Sequence, residues 1–391
     1  MIDNKEGLMR LSLSKGVWML FALLFLSTGV LKAQSNKFRT IEIRGHSGSH
    51  LYGGETLDQF LENGYGSGEL RLGWQSENDT IWSAKYGQPS YGVGFYSGNI
   101  GNADIFGNPN AVFGWMTFQT GKPHRRNVFE ISPSLGLTYN LNPYNEATNP
   151  LNDAIGSRIA VYFNLHAGFS YQLTRELDLT YGLDLSHFSN GRTFVPNWGL
   201  NMLGLNLGLR YHYNRLQKQV DPGLYPTTVV DARRKRTSKQ PNERIDANNL
   251  SFYAAMGTVQ NYAEDGIVGV NRYPAYSLVL DYEYRYNTMI SFLAGLDYFR
   301  DESLKPKYPE SKDQNLWGIH AGAAFHFWRL AILLEAGTYL SDDKGKDPLF
   351  LRPALRFDWT KHVKLQLGLK TRRGASADWI ETGVVFTPFS W

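Results

Sequence analysis

His187, Ser189 and Asn201 are the residues of this chain whose types and spacing lend themselves to chemistry. His187 and Ser189 stand two apart in the run LDLTYGLDLSHFSN at 177–190, and Asn201 opens NMLGLNLGLRYHY at 201–213. Residues two apart on a strand point the same way with Cα atoms about 6.5 Å apart, so an imidazole and a hydroxyl can meet there. A serine beside an imidazole, with an amide nearby to orient the ring, is equipment for acyl transfer. The hydroxyl attacks a carbonyl and the ring takes its proton. The competing reading is a polar fringe at the end of a strand.

The elements that position these residues are alternating strands. Leu177, Leu179, Tyr181, Leu183 and Leu185 share one face with His187 and Ser189, while Asp178, Thr180, Gly182, Asp184 and Ser186 share the other. After a turn-rich loop, Asn201 leads a row of Leu203, Leu205, Leu207, Leu209, Tyr211 and Tyr213 opposite Gly204, Asn206, Gly208, Arg210 and His212. The candidate chemistry therefore ends an apolar face, and on both strands at the same end of the hairpin. Asp184, by its parity, points to the other side.

The same alternation predicts strands at 37–47, 66–76, 90–98, 111–120, 127–140, 157–174, 177–189 and 201–214. It predicts eight more at 250–259, 275–286, 288–299, 315–327, 329–340, 349–360, 363–372 and 379–390. A soluble sandwich also alternates. A polar face rich in Gly, Ser and charge, aromatics gathered at strand ends, and an aromatic Phe389-Ser390-Trp391 terminus favour an all-β, antiparallel transmembrane barrel. No window reaches the roughly twenty apolar residues of a helical span.

The 391 residues include no Cys, so no disulfide holds the chain, and a formal charge of +4 does not indicate nucleic-acid binding. At the start, Lys5, Arg10 and Lys15 precede an apolar run from Val17 to Leu31, predicting a signal peptide over 1–33. A barrel domain is expected over 34–214, a polar linker containing Arg233-Arg234-Lys235-Arg236 over 215–249, and a second barrel repeat over 250–391. The end of each half aligns, with Gly182-Leu183 over Gly368-Leu369; where the first half carries His187-Phe188-Ser189, the second carries Arg373-Gly374-Ala375. This predicts a tandem duplication whose second copy lacks the His-x-Ser pair. Two eight-stranded barrels, or one of about sixteen strands, both satisfy the pattern. The remaining His residues show no zinc-ligand spacing, so neither a metal nor another cofactor is expected.

His187-Phe188-Ser189-Asn190-Gly191, followed by Pro196-Asn197-x-Gly199, resembles the lipid A 3-O-deacylase family of PagL-like outer-membrane acyloxyacyl hydrolases. The resemblance is strong over about 157–213 and topological over 37–156. It implies an eight-stranded barrel with Ser189 as nucleophile, His187 as general base, and Asn190 with Gly191 supporting an oxyanion. The family's third member is a Glu fourteen residues after the His, where this chain has Asn201. An amide can orient an imidazole but cannot stabilise an imidazolium by charge, so the resemblance also implies a slower reaction or help from Glu146 or Asp153.

These readings predict an outer-membrane serine esterase that removes an ester-linked acyl chain from lipid A in the outer leaflet. Two rivals stand beside it. One is an outer-membrane phospholipase or transacylase; the other is a non-enzymatic pore or scaffold with a vestigial motif.

Overall fold

The computed structural model describes residues 39–51, 57, 64–75, 86, 89–120, 126–174, 176–213, 247–262, 268–372 and 376–391. The expected signal peptide, nearly all of the expected linker and Arg373-Gly374-Ala375 lie outside these residues.

Among the described residues, sixteen strands form two closed antiparallel barrels of eight. The first runs β1 (Arg39–His50), β2 (Tyr65–Gln75), β3 (Ser90–Asn99), β4 (Gly107–Thr120), β5 (Asn127–Leu141), β6 (Ala160–Gln172), β7 (Leu177–Ser189) and β8 (Leu200–Tyr213). Pairing of β1 with β8, from Arg39↔Tyr213 to His50↔Met202, closes it. The second runs β9 (Asn248–Tyr262), β10 (Val268–Arg285), β11 (Ile290–Asp301), β12 (Asn315–Phe327), β13 (Leu330–Tyr339), β14 (Leu349–Asp358), β15 (Val363–Arg372) and β16 (Ser376–Ser390). Here β16 pairs with β9 and closes the ring. The alternative of a single barrel of about sixteen strands is thereby excluded.

In the β9–β10 hairpin, β10 begins seven residues ahead of the expected 275. The segment Val268–Arg272 continues pairing with β9 across a bulge, which periodicity does not reveal. The expected eighteen-residue strand at 157–174 is shorter, at Ala160–Gln172, because Ser157 caps the approach by donating to the Ile159 carbonyl.

Both barrels are apolar outside and charged within. Leu183 is 54% exposed and Leu205 66%, whereas Asp178, Thr180 and Asp184 are buried on the inward side of β7. A closed sheet leaves no unpaired edge, so strands with a greasy exterior are stable across a bilayer. An eight-stranded ring is just wide enough for side chains to fill, and ion pairs fill this one. In the first barrel Arg210 bridges Glu42 and Glu130 at 3.0 and 2.8 Å, and Arg71 pairs with Glu69 at 2.7 Å. In the second, Arg352 pairs with Asp297 and lies 3.2 Å from Glu335.

Above each charged layer the lumen turns apolar. Tyr96, Phe113, Tyr162, Phe188, Leu200 and Met202 pack together in the first barrel; Phe299, Phe350 and Trp379 do so in the second. Side-chain character along β7 and β8 therefore inverts at this rim. Phe188, Leu200 and Met202 turn inward to the plug, and His187, Ser189 and Asn201 turn outward. This placement makes a polar cluster on the outer wall compatible with a closed core.

Candidate active site

The β7–β8 register sets His187 directly opposite Asn201. Opposed residues in an antiparallel pair hold their Cβ atoms about 5 Å apart, close enough for the two side chains to meet. His187 Nδ1–H donates to Asn201 Oδ1 at 2.7 Å. With Nδ1 carrying the proton, Nε2 is left with its lone pair, the form a general base requires. The amide oxygen selects that tautomer as a carboxylate would, without adding charge.

Ser189 ends β7, and its Oγ accepts two hydrogen bonds: from Asn197 Nδ2 at 2.9 Å and from the Gly191 N–H at 3.2 Å. Among the described residues no hydrogen bond joins Ser189 Oγ to the imidazole. Catalytic contacts of this kind often tighten only once substrate is bound.

The loop between β7 and β8 is shaped to deliver these donors. Gly191 has φ +61° and Arg192 φ +66°, so the chain turns sharply through the left-handed region just after Ser189. Asn190 N–H donates to Asn197 Oδ1 at 3.1 Å, and Asn190 Oδ1 receives the Phe194 N–H at 3.4 Å. One asparagine thus spans the loop, with its oxygen on the backbone and its nitrogen on Ser189. Gly199, at φ +76°, closes the loop where a methyl would come within 3.0 Å of His187 Cε1. Asn190 Nδ2 is buried with no hydrogen-bond partner among the described residues. An orphaned buried donor next in the chain to a serine hydroxyl can stabilise an anion.

The predicted residues His187, Ser189, Asn190, Gly191 and Asn201 are all brought to this one rim. Asn197 was legible only as part of the Pro-Asn-x-Gly spacing, with no role attached. The two carboxylates suggested as helpers behave differently. Glu146 is exposed, and Asp153 uses its backbone carbonyl to receive the Trp198 N–H at 3.4 Å. Beside it the Ala154 carbonyl receives the Gly199 N–H at 2.9 Å, so the β5–β6 loop braces the site through backbone. Asp184 lies inside the barrel, bonded to Asn206 at 3.2 Å.

Asp281, His320 and Glu335 in the second lumen bring three ligand-type atoms within 4.8 Å of one another. Arg352 lies 3.2 Å from Glu335, and Arg356 lies 3.6 Å from Asp281. Two guanidiniums so close already neutralise the carboxylates and would repel a dication, so the cluster reads as an ion-pair network.

Comparison with known proteins bears on the family. Residues 68–210 match the family described as lipid A 3-O-deacylase (PagL), and residues 248–391 match the acyloxyacyl hydrolase C-terminal domain. No curated protein matches the chain. Among solved structures, the outer membrane enzyme PagL is 14% identical, with 43% of this chain and 97% of that chain covered and a TM-score of 0.30. Neisserial surface protein A is also 14% identical, covering 45% of this chain and 97% of that one at a TM-score of 0.30. The family matches lie on the two barrels, the first including the His-x-Ser hairpin. Along these two segments the chain belongs to the PagL lipid A 3-O-deacylase and acyloxyacyl hydrolase family of outer-membrane β-barrel proteins.

Proposed function

We propose that this protein is an outer-membrane serine esterase that hydrolyses an ester-linked acyl chain of lipid A, at the 3-position by family likeness. The observation that carries the reading is the conjunction at one rim. His187 is held through Nδ1 by Asn201 at 2.7 Å, and Ser189 Oγ is gripped by Asn197 and Gly191. In the reaction, His187 Nε2 takes the Ser189 hydroxyl proton as Oγ attacks the ester carbonyl. Negative charge develops on the carbonyl oxygen, where the unpartnered Asn190 Nδ2 is available to donate to it, while the Gly191 N–H and Asn197 Nδ2 hold Ser189 Oγ beside it. Collapse expels the sugar alkoxide, to which His187 returns the proton. Water, activated by the same ring, then releases the fatty acid and frees Ser189.

The substrate class follows from which way the site faces. His187 and Ser189 continue the lipid-facing row of Leu183 and Leu185, so the ester they reach lies at outer-leaflet depth outside the barrel. Lipopolysaccharide presents its acyl esters there. The pore reading is disfavoured by the filled lumens: Glu42, Arg44, Arg71 and Glu130 are fully buried in the first barrel, and Arg352 and Arg356 in the second. Purified protein mixed with lipopolysaccharide in detergent should release free fatty acid, and Ser189→Ala and His187→Ala should not. Equal release by Ser189→Ala would remove the serine from the mechanism.

A further inference from the structure

The loop that carries the donors for Ser189 is held by the second barrel as well as by its own. Gln260, near the end of β9, grips it twice: its N–H donates to the Arg192 carbonyl at 3.1 Å, and its Oε1 receives the Val195 N–H at 2.9 Å. Arg192 donates from Nη2 to Asn261 Oδ1 at 2.5 Å and lies 3.5 Å from Asp378. These anchors are themselves fixed. Asn261 Nδ2 donates to the Ser303 carbonyl at 2.5 Å, and Asp378 is held by Lys346 and Lys370, each at 2.7 Å.

Packing follows the same seam. The Arg272 guanidinium lies 4.7 Å from the Phe194 ring centroid, and a methyl built on Gly191 would collide with Ile380 on the outer wall of β16. Contacts to the second barrel thus reach Gly191, Arg192, Phe194 and Val195. Arg192 sits in the left-handed region without being glycine, a conformation that persists only where its surroundings over-determine it.

We infer that the rim of the second barrel is a positioning element of the catalytic site: Gln260 and Asn261 fix residues 191–195 so that the Gly191 N–H and Asn197 Nδ2 stay on Ser189. This rests on the esterase reading above. It gives the half that lacks the His-x-Ser pair a role in the reaction of the half that has it. Neither residue touches Ser189 or His187, so their effect is on geometry and appears in the rate of serine attack rather than in lipid affinity.

The test is the rate at which a fluorophosphonate probe labels Ser189 in the full-length protein, wild type beside Gln260→Leu, Asn261→Ala and Phe327→Ala. Phe327 packs on Tyr86 and Phe118 at the opposite end of the inter-barrel contact, so its loss loosens the barrels without touching the loop. Gln260→Leu is expected to label about tenfold more slowly, because small misplacements at a site carry large rate penalties. Its KM for lipopolysaccharide should stay within about twofold, since that binding energy is untouched. Gln260→Glu, which keeps both the backbone donor and a side-chain acceptor oxygen, should recover most of the rate, and Phe327→Ala should label like wild type. Heat-modifiable migration in gels confirms that each variant's barrels are folded. If Gln260→Leu fails to fold, Asn261→Ala and its partner Asn261→Asp carry the same comparison. Wild-type rates for folded Gln260→Leu and Asn261→Ala would overturn the inference while leaving the esterase reading intact. An equal slowing by Phe327→Ala would also overturn it, by making the effect one of general barrel association. A wild-type protein that is not labelled at Ser189 would sink the esterase reading and the inference together.

Discussion

The two barrels share a plan and differ at one rim. Each closes eight strands around a buried arginine that serves two or more carboxylates: Arg210 with Glu42 and Glu130, Arg352 with Asp297 and Glu335. Each carries an aromatic plug above that layer. At the rim, the first barrel turns His187, Ser189 and Asn201 outward, whereas the second gathers Lys346, Lys370 and Arg372 around Asp378. The lumen is therefore a solution to folding in a membrane and says little about activity. The proposed chemistry belongs to the few outward groups at the last paired residues of β7 and β8.

Replacing the reactive group gives the largest expected effect on this contrast. Ser189→Ala should lower ester hydrolysis by about a thousandfold or more, while a substitution as severe at a lumen charge should cost stability instead. Arg210→Met removes the closest partner of Glu130 and one of the two that hold Glu42, which keeps Arg44 at 2.8 Å, and should cost up to about 3–5 kcal/mol. Arg352→Met should cost a similar amount in the second barrel, which urea unfolding in vesicles measures. A stability loss confined to the first barrel would break the parallel between the lumens.

The third member of the site gives a smaller change of opposite sign. Asn201→Glu supplies a charge that stabilises the imidazolium formed as His187 takes the serine proton, and should raise kcat about tenfold. Asn201→Ala should lower it, through loss of the 2.7 Å bond that selects the ring's tautomer. An unchanged rate in both would mean that the ring is oriented by other contacts. The smallest effect is expected on the lipid-facing wall. Leu205→Ala removes a side chain that is already 66% exposed and should shift stability by under about 1 kcal/mol.

Much of this was legible in the sequence, because a barrel wall separates its two environments residue by residue. The alternation of Leu183 and Leu185 with Asp184 and Ser186 predicts the strand and its two faces, and the structure agrees at each of these positions. Parity also places His166, His320 and His326 inside, where all three are buried. The inversion at the rim was not legible as such, since Phe188 and Met202 break the polar row without indicating a plug. Strand number per barrel was hidden as well, because closure depends on β9 meeting β16 some 130 residues later. Within the site, spacing delivers the His187–Ser189 pair and its cross-strand Asn201. The contacts from Gln260 and Asn261 follow no local pattern; they arise because two barrels lie side by side, which no spacing encodes.

The central claim is that Ser189 removes an acyl chain from lipid A, and mass spectrometry of lipid A from cells expressing the chain tests it most directly. Loss of one ester-linked acyl chain is expected with the unaltered protein, and full acylation with Ser189→Ala. Identical lipid A from both, with both proteins folded in the outer membrane, would contradict it.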